Sequence, residues 1–123
     1  MRFLGKWRNE YGSLVEITDE SGGQIKGTFK TALEDSSFYG QTVPISGTAC
    51  GDVIGFTAAA EGRVGPAAVS YTGILRDGKM VTLWHTVCGS ALTAAREGAP
   101  AQRKTVGVWR AFGTSLDTFE PVR

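Results

Sequence analysis

Short runs that alternate apolar and polar side chains recur along the whole chain, and each run stops at a turn signal. Alternation with a period of two puts one set of side chains on each face of a strand, which selects β-structure. The expected strands are Gly5–Glu10, Ser13–Thr18, Gln24–Thr31, Val43–Thr48, Val53–Ala60, Ala68–Leu75, Met80–Val87, Val106–Phe112 and a closing piece over Thr118–Val122. The last two are read as one long, bent strand, which makes eight. Turn signals lie between them at Tyr11-Gly12, Glu20–Gly23, Cys50–Asp52, Glu61–Pro66 and Asp77-Gly78. Asp-Gly between alternating runs is a strong hairpin signal, because both central residues of the favoured turn need positive φ. Evenly spaced short strands with tight turns predict an all-β, eight-stranded antiparallel up-and-down barrel.

The chain has 123 residues, which predicts a single domain spanning 1–123. Its 17 glycines follow no repeat and accompany only four prolines, so they punctuate strands. The stretch Ser90–Lys104 breaks the pattern. Ala91, Ala94 and Ala95 favour a short helix within Ser90–Glu97, stopped by Gly98 and Pro100.

Alternation also assigns the faces. Trp7, Asn9, Ser13, Val15, Ile17, Phe29 and Thr31 fall on one face of the early strands. Phe56, Ala58, Ala60, Ala67, Val69, Tyr71, Trp84 and Thr86 fall on the same face of the later ones. Arg8, Glu10, Glu16, Thr18 and Lys30 fall on the other. The first set is the barrel interior. An eight-stranded barrel is just wide enough to be filled by side chains or to hold one small ligand. This interior mixes large apolar groups with Asn9, Ser13 and Thr31.

Charge and composition exclude several classes. The net charge of +1 gives no basic excess for phosphate backbones, so no nucleic-acid partner is expected. No stretch has the apolar length of a membrane-spanning helix, and no membrane partner is expected. The start MRFLGKWRNE has no apolar h-region, so no signal peptide is read there. Met1 fits a cytoplasmic native start, or a secreted or periplasmic protein whose leader has been removed. The two cysteines, Cys50 and Cys88, form no zinc pattern. In an up-and-down barrel their loops fall at opposite ends, so they are expected to stay thiols rather than bridge. His85 points outward beside inward Trp84, as a surface or interface residue would. No nucleophile–base or metal set is apparent, so no catalytic residues are expected and the chain reads as a binding protein rather than an enzyme.

Several segments together resemble the avidin and streptavidin family. Gly-Lys-Trp-Arg-Asn-Glu-Tyr-Gly-Ser (5–13) resembles the family's first hairpin, and Gly-Thr-Phe-Lys-Thr-Ala (27–32) its third strand. Gly-Phe-Thr (55–57), Tyr-Thr-Gly (71–73) and Leu-Trp (83–84) are similar to its fifth, sixth and seventh strands. Trp109, with Asp117-Thr118-Phe119 beginning eight residues later, matches its last strand. The resemblance covers nearly the whole chain. It implies a homo-oligomer, a tetramer in preference to a dimer, that binds biotin as a ligand and uses no cofactor.

Residue by residue, the resemblance implies that Asn9 and Ser13 bond the ureido oxygen, while Asp117 and Thr31 face the ureido N–H groups. Phe29 replaces a tyrosine, which removes one donor to that oxygen. Trp84 and Trp109 match two aromatic walls, and Trp109 would reach into a neighbouring subunit. Leu33, Asp35 and Thr86 complete the ligand-facing set. The tail end departs from the family. Ala60 replaces a third tryptophan, Val69 a threonine and Ala67 a serine. Glu34 and Asp35 place acids near the ligand carboxylate, which Arg63 could offset. The segment between Trp84 and Trp109 is longer than in the family.

A cyclic urea needs two acceptors and donors for one oxygen, and this set supplies both. The missing donor and the missing wall together cost roughly 4–8 kcal/mol of affinity. Weakened biotin binding, or a shift to another small cyclic urea or amide, is therefore expected. The competing classes are an enzyme that reuses the pocket and a barrel with a filled interior that acts through its surface.

Overall fold

In the computed structural model the described residues are 2–33, 38–63, 65–88, 90–92, 103–105 and 112–122. The strands are β1 (Gly5–Asn9), β2 (Leu14–Ser21), β3 (Gln24–Lys30), β4 (Val43–Cys50), β5 (Val53–Gly62), β6 (Gly65–Arg76), β7 (Lys79–Cys88), β8 (Ser90–Leu92), β9 (Arg103–Thr105) and β10 (Phe112–Pro121). Eight of them close an antiparallel barrel in the order β1-β10-β7-β6-β5-β4-β3-β2. No helix occurs among the described residues.

The hairpin turns behave as their residues require. Asp77 and Gly78 take φ of 53° and 76°, the pair of positive values that twists a two-residue turn to match its strands. The strands run closer to their turns than alternation alone indicates. β6, for example, spans Gly65–Arg76 and pairs with β5 along its length. The ladder between β2 and β3 shifts register between Ile17 and Asp19, a bulge that bends β2 into the curve of the barrel.

The interior follows the expected alternation. Trp7, Val15, Ile17, Phe29, Phe56, Ala58, Ala67, Val69 and Tyr71 are buried, while Arg8, Glu10, Glu16, Thr18 and Lys30 are exposed. Phe3, Ile17, Ile25, Met80 and Phe119 are almost wholly buried. Burying each such side chain contributes about 1.5–3 kcal/mol. Phe3, just before β1, belongs to the end that carries the β2–β3, β4–β5 and β6–β7 turns. Glu20 fixes it there by accepting from the Phe3 and Leu4 N–H groups, and the Trp7 indole donates to the Phe3 carbonyl at 2.8 Å.

The expected helix within Ser90–Glu97 is corrected at its start. Residues 90–92 form β8, which pairs antiparallel with β9, Ser90 opposite Thr105. Helix propensity is a weak preference, and a paired strand overrides it. Residues 93–97 lie outside the described residues. The expected strand Val106–Phe112 also lies outside them except for Phe112, which opens β10. Cys50 and Cys88 are thiols that end β4 and β7, rather than lying in loops, at opposite ends of the barrel.

Candidate functional site

The turn from β1 to β2 sets the first polar group of the interior. Asn9 Oδ1 accepts from the Tyr11 and Ser13 N–H groups at 3.0 and 2.9 Å, which makes Asn9 the anchor of the turn. The same side chain turns inward, and its Nδ2 donates to Asp117 Oδ2 at 3.0 Å. This bond links residues 108 apart and is buried. The turn-forming and interior roles of Asn9 therefore coincide. One N–H of its amide remains for another acceptor.

Ser13 is buried beside it. Its Oγ accepts from the Ala32 N–H at 2.9 Å, so its own proton is left to donate. The bond fastens the start of the β3–β4 loop to the first turn. Thr31, buried one residue past β3, accepts from the Leu33 N–H at 3.1 Å. Leu33 itself is among the exposed apolar residues. Phe29 is buried on β3, and its ring lies 5.9 Å from that of Tyr71.

Asp117 is held from two sides. Thr82 Oγ1 donates to the Asp117 carbonyl at 2.9 Å, a buried bond between β7 and β10. The next residue, Thr118, donates its N–H to both carboxylate oxygens of Glu10 at 3.3 and 3.2 Å. The Asp117 side chain is 4% exposed. Its Oδ1 and the Trp84 Nε1 are buried with no hydrogen-bond partner among the described residues. Leaving a buried acceptor or donor unpaired costs about 1–3 kcal/mol, so each atom is placed to gain from a bound polar group.

Aromatic rings surround these groups. Tyr71 stacks on Phe56 at 5.0 Å, lies 6.5 Å from Trp84 and meets Phe119 edge-on at 5.7 Å. Burial, and then the negative charge of Asp117, push the Tyr71 phenol above the ordinary tyrosine value. A raised acid pKa in the fold gives stability that is complete below about pH 10 and is lost as pH rises beyond it. Tyr71→Phe should therefore flatten the alkaline fall in stability. Urea unfolding of both proteins at a series of alkaline pH values checks this, and parallel curves would contradict it.

Thr86 lies half-buried on the same inward row as Trp84, and its hydroxyl donates to the Ala68 carbonyl at 3.3 Å. Ala60, Ala67 and Val69 line the inward face toward the β5–β6 turn. There the Arg63 guanidinium sits 5.7 Å over the Tyr39 ring, and Gln41 donates to the Glu61 carbonyl at 3.3 Å. These contacts tie the β3–β4 loop to the β5–β6 hairpin. Glu34, Asp35 and Trp109 lie outside the described residues.

Sequence reasoning passed over Thr82 and Glu10 as supports for Asp117, and it read Tyr71 as filling only. Thr82 could have been found two residues before Trp84 on the inward row. Phe38, 3% exposed although it lies in the β3–β4 loop, left no periodic signal. Among the described residues no group of three or more His, Cys, Asp or Glu side chains could hold a metal ion. Among them, too, no helix is long and apolar enough to cross a membrane.

Comparison with solved structures gives the same barrel. The bradavidin2–biotin complex matches with a TM-score of 0.72 at 19% identity, covering 100% of both chains. The rhizavidin–biotin complex matches with a TM-score of 0.70 at 19% identity, covering 98% of this chain and 92% of that one. Apo shwanavidin matches with a TM-score of 0.73 at 18% identity, covering 100% of this chain and 98% of that one. A search of curated proteins gives no match. A sequence model described as "Avidin family" matches residues 1–100, most of the barrel including Asn9, Ser13 and Trp84, and the chain belongs to that family.

Proposed function

We propose that this chain is a non-catalytic binding protein for biotin or a related small cyclic urea or amide, taken as a ligand and not as a cofactor. The observation that carries this reading is the buried Asn9–Asp117 pair. It uses one carboxylate oxygen and leaves the other as an unpartnered acceptor inside an aromatic room. A ligand N–H would satisfy Asp117 Oδ1 with a charge-assisted bond. The Ser13 hydroxyl and the second Asn9 N–H would serve the adjacent carbonyl. Thr31 would meet the other N–H, and Phe29, Trp84, Thr86 and Trp109 would wall the ring. Leu33 and Asp35 would lie toward the ligand tail.

The tail is held less well. Ala60, Ala67 and Val69 offer neither a wall nor a hydroxyl. Biotin amide should therefore bind about as tightly as biotin. Calorimetric titration with both ligands tests this, and an amide bound far more weakly than biotin would contradict it.

The chain works as a homo-oligomer, a tetramer in preference to a dimer. Leu83 and Leu116 are direct cross-strand partners on the outer face, and Leu116 is 70% exposed. Val81 and Val53 lie exposed nearby, with Ile74 between them in register, and His85 sits opposite Thr114. A second copy would cover this apolar face. Leu116→Lys should shift the protein to smaller species in sedimentation. An unchanged sedimentation profile would remove this face from the assembly.

A further inference from the structure

Two polar atoms of the interior, Asp117 Oδ1 and Trp84 Nε1, are buried with no hydrogen-bond partner among the described residues. The Tyr71 ring packs beside Trp84 in the same interior. Tyr71 is 4% exposed and its ring is fixed by Phe29, Phe56, Trp84 and Phe119. Four ring contacts leave the phenol little freedom to swing toward solvent. Its ring lies 5.7 Å from that of Phe119, two residues along β10 from Asp117, and 6.5 Å from that of Trp84, whose Nε1 is orphaned. Burial and the Asp117 charge both raise the phenol pKa. A phenol in that place keeps its proton and acts as a donor.

An amide or urea presents an N–H and a carbonyl side by side. With the N–H on Asp117 Oδ1, the carbonyl needs donors close to that carboxylate. Phe29, the neighbouring ring, has none. We propose that the Tyr71 hydroxyl is a specificity-determining contact, donating to the carbonyl oxygen of the bound head group while Asp117 Oδ1 accepts from its N–H. The proposal rests on the binding function above. It gives this pocket a donor on β6, beside those on the first turn, and a preference for ligands whose head group carries a carbonyl.

Tyr71→Phe keeps the ring and removes the donor. Calorimetry should show biotin affinity falling about five- to a hundredfold, because the ligand oxygen loses a buried bond. The exposed control Tyr11→Phe should bind as the wild type does. An unchanged affinity in Tyr71→Phe overturns the proposal while leaving the binding function standing. A wild type that binds neither biotin nor any other cyclic urea or amide at millimolar concentration overturns both. If Tyr71→Phe is itself unstable, fluorotyrosine incorporated into the wild type decides. The chain has three tyrosines, and removing the exposed Tyr11 and Tyr39 singly assigns the Tyr71 resonance. Biotin should shift that resonance most, and a Tyr71 signal blind to saturating biotin would overturn the assignment.

Discussion

Gly47→Ala should destabilise the barrel by about 3 kcal/mol or more, the upper end of overpacking costs. A Cβ at position 47 would stand 1.9 Å from the Gly55 carbonyl oxygen and 2.6 Å from the Phe56 Cα. Both atoms are backbone of the paired strand β5, so no rotamer change can make room. For a domain of this size that loss lowers the midpoint of thermal unfolding by about 10 °C or more. Gly55→Ala is the internal control. Its new Cβ would meet nothing closer than 3.8 Å, so its effect should stay within about 1 kcal/mol. Equal melting points for the two variants would show that β4 and β5 do not approach as described.

Asp117→Ala should separate binding from stability. The change removes a buried carboxylate with one unpartnered oxygen, which relieves a desolvation cost. It also leaves Asn9 Nδ2 without its partner, which adds one. The two nearly cancel, so the free protein should unfold within about 1 kcal/mol of the wild type. Biotin affinity has no such compensation and should fall by about 1–3 kcal/mol. Thermal unfolding of the free protein and calorimetry with biotin measure the two effects. A variant that loses stability but keeps its affinity would make Asp117 a structural residue only.

The strands were legible because each hairpin joins near neighbours, so alternation and a turn signal suffice. Asp77-Gly78 announced its turn through the two positive φ values it adopts. The β8–β9 pair was not legible, since alanines that favour a helix are held as a strand by partners about a dozen residues further along the chain. The bulge in β2 has no local marker, for it serves the curvature of the closed sheet. In the site, Asn9, Ser13 and Asp117 were picked out by resemblance. That Asn9 binds Asp117 directly depends on β1 and β10 closing the barrel, a contact no local pattern encodes. Thr82 and Glu10 escaped notice for the same reason. Each acts through the backbone around Asp117, and a supporting bond leaves no motif.

In the proposed function, the polar cluster around Asn9 and Asp117 receives the head group of a cyclic urea. Calorimetric titration of the wild type with biotin, repeated on Asn9→Ala and Asp117→Ala, tests this role most directly. Saturable binding of one biotin per chain is expected, weakened in both variants by about 1–3 kcal/mol. Equal affinity in all three proteins, or no heat of binding with biotin or any other cyclic urea or amide at millimolar concentration, would contradict that role.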